Sequence, residues 1–150
     1  MSGSGSLICK SDILTEGELI LNMAGSGDLV TEKIVCGDLK SSLSGSGYIK
    51  TGRIEAVDVR LTVAGSGDWN ASRIKADNLS ISLAGSGDVD IVNVDIDNKL
   101  SASVSGSGDI SINGHAGNVT AKVAGSGDIS GRLSYDDITK VRAGSGDIDW

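Results

Sequence analysis

The tripeptide Gly-Ser-Gly begins at positions 3, 25, 45, 65, 85, 106, 125 and 144 of the chain. The intervals between copies are 22, 20, 20, 20, 21, 19 and 19 residues, so one short unit recurs along all 150 residues. A unit of this length cannot bury its own apolar face, whereas stacked copies share a continuous core. The residue before each later copy is small: Ala24, Ser44, Ala64, Ala84, Ser105, Ala124 and Ala143. The residue after it is Asp in six copies (Asp28, Asp68, Asp88, Asp109, Asp128 and Asp147), with Ser6 and Tyr48 departing from the pattern.

Apolar columns run with the same period. Directly after the Asp position stand Leu7, Leu29, Ile49, Trp69, Val89, Ile110, Ile129 and Ile148. Six residues before each later Gly-Ser-Gly stand Leu19, Leu39, Val59, Leu79, Leu100, Val119 and Ile138. Two before it stand Met23, Leu43, Val63, Leu83, Val104 and Val123, then Arg142. A further column runs Leu14, Ile34, Ile54, Ile74, loosens around Val94 and Ile96, and returns at Leu133. Local patterning has period two, as at positions 58–63 and 78–83, which describes half-buried strands. No segment between glycine turns is long enough for a capped helix.

The expected fold is therefore all-β: a parallel β-helix, or solenoid, of about seven coils of 19–22 residues, forming a single domain over residues 1–150. Three strands of about five residues with their corners fill one coil, and coils about 4.8 Å apart give a rod of roughly 34 Å. Sixteen of the 22 glycines lie in the repeated corner, where glycine reaches positive φ without a Cβ clash. Proline is absent, as central strands require, since each needs its N–H for a neighbour. Propeller blades need about 40 residues each. An antiparallel barrel would not need the same long unit with columns in register on both sides.

The net charge is −7, from 13 basic and 20 acidic residues, which opposes nucleic-acid binding and gives no polybasic membrane signal. Cys9 and Cys36 are read as two free, packed thiols; with one histidine they cannot make a Cys/His zinc site. No apolar run approaches the roughly 18 residues of a membrane span. The N-terminus has neither a basic nor a hydrophobic leader region, so the chain reads as cytoplasmic, or as a processed or excised piece of a longer protein.

Stacked coils place Asp68, Asp88, Asp109, Asp128 and Asp147 along one edge. Neighbouring carboxylates about 5 Å apart repel by about 1 kcal/mol in water. The simplest offset is an Asx-type bond from each Asp to backbone N–H groups of its own glycine turn. The functional alternative is a Ca²⁺-binding edge. Lys33, Arg53, Arg73 and Arg132 form a basic partial column that balances the acids. Asn78, Ser80, Ser82, Ser101, Ser103, Asn118 and Thr120 form a flat polar face suited to carbohydrate or a partner protein. Trp69 lies in an apolar column and reads as a packing residue.

Catalytic motifs are lacking. The glycine turns match neither the dinucleotide fingerprint nor a phosphate loop. His115 is the only candidate base, in a turn-like segment at 113–117. Asp88 with Asp90, or Asp95 with Asp97, supply carboxylate pairs for a polysaccharide-active enzyme only by analogy of fold.

Ala84-Gly-Ser-Gly-Asp-Val89, Ser105-Gly-Ser-Gly-Asp-Ile110 and Ala124-Gly-Ser-Gly-Asp-Ile129 carry a resemblance over nearly the whole chain. The repeat resembles that of the auto-transporter adhesin, head GIN domain family. The resemblance implies a right-handed parallel β-helix in bacterial envelope or secreted proteins. It supplies no catalytic residue to carry over. The expected function is thus a non-enzymatic structural or adhesin-like module of the bacterial cell envelope, with no cofactor and no catalytic or metal-ligating residues. Its expected partner is a surface glycan or protein, with no nucleic acid and no membrane insertion. The alternatives are a polysaccharide-active enzyme and a self-assembling scaffold. The scaffold reading follows because neither end shows a helical or charged cap, and uncapped solenoid ends pair with other chains.

Overall fold

The computed structural model describes residues 2–150. Among them the regular structure is all strand, and every strand pairing is parallel. The strands Tyr48–Gly65 and Asp68–Gly85 show how a coil is built. Residues 48–51 lie on 68–71, 53–56 on 73–76, and 58–65 on 78–85. Gly52 and Val57 fall outside that register, at the bends. Each coil therefore has two short sides and one long one, rather than three equal strands, and the Gly-Ser-Gly turn closes it.

Seven side chains per coil point inward. In the coil of Trp69 they are Trp69, Ala71, Ile74, Ala76, Leu79, Ile81 and Leu83, none more than 3% exposed. Burying one such Leu or Ile contributes roughly 1.5–3 kcal/mol. Volume is traded within coils of fixed cross-section. On the first side the inward column runs Thr51, Ala71, Ile91, Ile112, and on the long side Leu61, Ile81, Ala102, Ala121. Large residues on one side match small ones on the other, as close packing demands. Trp69 packs in the core as expected. Its indole Nε1–H also donates to buried Ser41 Oγ at 3.0 Å, so the one polar member of that long-side column among the buried coils has a partner.

The register corrects the Ile column. Ile13, not Leu14, stacks on Ile34, and Leu14 is 67% exposed. The column runs from Ile74 to Val94, loosens one coil later at Gly114 and returns at Leu133, while Ile96 belongs to a separate column with Ala76 and Ala116. The cause is visible in the pairing. Cys9 is offset from Thr31 by 22 residues, Ile13 from Ile34 by 21, and Glu18 from Asp38 by 20. The first coil thus carries one extra residue in each of two corners. The later changes in spacing likewise fall between Ala76 and Asn78, between Ile112 and Gly114, and between Ala116 and Asn118, all at bends. Lengths change where no ladder is interrupted, so inward residues stay inward.

The two glycines of each turn have different reasons to be glycine. Gly65 adopts φ 121°, the left-handed side that residues with a Cβ avoid. Gly87 does not, but a Cβ there would sit 2.0 Å from the carbonyl oxygen of Gly67 in the coil beneath. Positive φ accounts for the first glycine only; close stacking accounts for the second.

Candidate functional site

The Asp edge exists, but its hydrogen bonds run between coils and not within each turn. Asp68 Oδ1 accepts from the Asp88 backbone N–H at 3.0 Å, and Asp88 Oδ1 from that of Asp109 at 3.0 Å. Asp109 Oδ1 accepts from Asp128 N–H, and Asp128 Oδ1 from Asp147 N–H, each at 2.7 Å. In the coils before this ladder the same N–H is used differently: Tyr48 N–H donates to Gly27 O and Asp68 N–H to Gly47 O. From Asp88 onward the carboxylate replaces the carbonyl as acceptor, while Gly87 N–H turns to Gly65 O. A charged acceptor makes a stronger bond, which offsets the repulsion along the row.

The basic column is also not the counterweight of these acids. Lys33, Arg53 and Arg73 do stack in register. Arg73, however, reaches Asp95 at 3.7 Å, and Arg53 approaches Glu55 at 4.0 Å. Such exposed pairs are worth about 0–1 kcal/mol. Of the proposed carboxylate pairs, Asp88 is held by the ladder and Asp95 faces Arg73. Among the described residues no three of His, Cys, Asp and Glu converge in a metal-ligating arrangement.

His115 lies in the strand Ile110–Val123 and not in a turn, although it is exposed as expected. The register places it between Asp95 and Ser134. His115 Nδ1 and Ser134 Oγ are 3.0 Å apart, and Ser134 Oγ donates to Gly114 O at 3.1 Å. With its proton on a backbone carbonyl, the hydroxyl is not presented to the imidazole as a nucleophile to be deprotonated. Both cysteines are free. Cys36 is buried and Cys9 half-buried. Burial, with a smaller push from the Asp38 charge, raises the Cys36 thiol above its ordinary value.

The polar face is assembled as the sequence suggests. It is the outer surface of the long side. Asn78, Lys99 and Asn118 stack in one column, and Ser80, Ser101 and Thr120 in the next. Ser82 and Ser103 follow, continued by Lys122. At the N-terminal end of the same face the first two columns become charged: Glu18, Asp38 and Asp58 beside Lys40 and Arg60. Lys40 pairs with Glu18 at 2.5 Å, and Asn78 Nδ2 donates to Asp58 Oδ1 at 2.7 Å.

In the C-terminal coil two inward columns carry basic residues. Lys140 stacks on Ala121 and Arg142 on Val123, both inward columns. Arg142 binds the Asp147 carboxylate, the terminal member of the Asp ladder. Lys140 Nζ donates to Trp150 O at 2.6 Å, while the Trp150 ring packs against the core. Inward charges of this kind blunt an open sheet edge. Reading outward from the turns would have found Lys140, since it stands four residues before Gly144 as Leu61 does before Gly65.

No curated protein and no solved structure matches the chain. A family model does, over residues 1–110 and again over 91–150. Those matches span the ladders of glycine, aspartate and inward aliphatics just described, so the chain belongs to the family described as "Putative auto-transporter adhesin, head GIN domain".

Proposed function

We propose that this chain is a non-enzymatic adhesive module of the bacterial cell envelope, displayed outside the cytoplasm, which meets its partner through the polar face of the long side. The observation that carries the reading is the register of that face: Ser80, Ser101 and Thr120 repeat one group along the rod at the coil spacing. Repeated weak contacts gain strength together when a surface offers many equivalent partners. Family membership supports the same reading. In this reading no resident cofactor is required.

The test has two parts. Beads coated with the folded protein are applied to immobilised polysaccharides and extracellular proteins. Adhesion is expected to survive any single alanine substitution on the face and to fail when Ser80, Ser101 and Thr120 are all replaced by Glu. Adhesion to nothing, or its loss on changing one Asp of the edge, would overturn the reading. An epitope tag protected from protease on intact cells would overturn the location.

A further inference from the structure

At the charged end of the polar face the rows of side chains border an open groove of about 430 Å³, whose floor is the strand backbone over the inward-facing Leu39, Val59 and Leu79. That lies within the range of small-ligand sites, about 300–1,000 Å³. Four of its polar members brace the walls, through the Lys40–Glu18 pair and the bond from Asn78 to Asp58. Five others line it with no hydrogen bond or ion pair among the described residues: Asp38, Arg60, Ser80, Lys99 and Ser101. Arg142 and Lys140, by contrast, are engaged at the C-terminal end.

The free groups constrain what fits. Asp38 accepts only, Arg60 and Lys99 donate only, and the serine hydroxyls do both. A polyanion would face Asp38 and Asp58; a polycation would face Arg60 and Lys99. A neutral polyol satisfies both, since each of its hydroxyls donates and accepts. The lining groups recur once per coil, about 4.8 Å along the rod. That step is close to the length of one sugar ring in an extended chain.

We propose that this groove binds a stretch of neutral, extended glycan lying along the rod axis. Its hydroxyls accept from Arg60 and Lys99 and donate to Asp38 and Asp58. The inference names a ligand class for the adhesive face and rests on that reading.

The experiment is an amide-resolved NMR titration of the whole chain with neutral cello-, xylo-, manno- and malto-oligosaccharides. Oligogalacturonate and chitosan oligomers serve as the charged arms. At least one neutral oligomer should give saturable shifts at residues 38–40, 58–60, 78–80 and 99–101. The Arg60→Ala/Lys99→Ala double variant should bind it about tenfold or more weakly, with its melting temperature unchanged. Silence of the groove toward every neutral oligomer, shifts confined to another face, binding of charged oligomers only, or an unaffected double variant would each overturn the proposal. If beads of the double variant still adhere, the groove falls and the adhesive reading stands. If beads adhere to nothing while the groove titrates, adhesion falls and the glycan site stands.

Discussion

Asp109 shows how one side chain serves two coils. It belongs to its own turn by sequence, yet its carboxylate completes the backbone of the next coil by accepting from Asp128 N–H at 2.7 Å. Asp109→Ala should leave that N–H without its acceptor and lower stability by about 1–3 kcal/mol. Asp109→Asn keeps an acceptor oxygen and removes one charge from a row of like charges, so its cost in urea denaturation should be much smaller. An equal loss for both variants would mean that charge matters more than the acceptor. Cys36 supplies a second residue-scale prediction. Its thiol is buried and raised, so it stays neutral where an ordinary thiol ionises. Folding therefore keeps its full contribution below the ordinary thiol range, about 8.5, and loses it as pH rises through the raised folded value. Alkylation of the native protein near neutral pH should label Cys9 well before Cys36, as peptide mapping would show, with both labelled alike in denaturant. The Asp column was legible in the sequence because the residue recurs beside a fixed turn. Its donor was not, because a one-dimensional pattern does not tell whether an acceptor serves its own coil or the one above.

Between two coils, Trp69 and Ser41 form a buried polar pair inside an aliphatic core. Ser41→Ala leaves the indole N–H unsatisfied and should cost about 1–3 kcal/mol. Trp69→Phe removes the donor and opens space, and should also destabilise. The double variant should cost clearly less than the sum, because neither group is then left without a partner. Strict additivity in a thermal or urea cycle would show that the bond contributes nothing. The columns containing Trp69 and Ile54 could be read from sequence, since a strict interval keeps the pleat in phase. Leu14 was misplaced for the opposite reason. The first unit carries two extra residues in two corners, and counting from the turn puts both on one side of the strand Ile13–Leu14. The neutral groove was hidden as well, because its wall combines residues from five units that look unremarkable one at a time.

At the scale of the molecule, the rod is asymmetric. Its C-terminal coil places Lys140 and Arg142 where other coils place aliphatic residues. Its N-terminal coil leaves Leu7 and Ile8 more than half exposed, at 52% and 59%. A further coil stacked on the C-terminal end would have to desolvate two cations, at a cost of several kcal/mol each. Lys140→Leu/Arg142→Val should therefore promote end-to-end association, seen as a concentration-dependent rise in mass by light scattering. The parent chain should show no such growth through that end; an unchanged variant would show that the charges are not what closes it.

The parallel register also decides how such a rod responds to being pulled. Its strands lie across the long axis, so tension between the two ends loads the bonds joining one coil to the next and spares those further along. The coils should peel away one after another at modest force, each adding roughly 70 Å of extended chain for about 20 residues in place of a 4.8 Å step. A molecule that lengthens more than tenfold in even instalments under load behaves as an extensible tether, and force spectroscopy would read its coils as a series of near-identical steps.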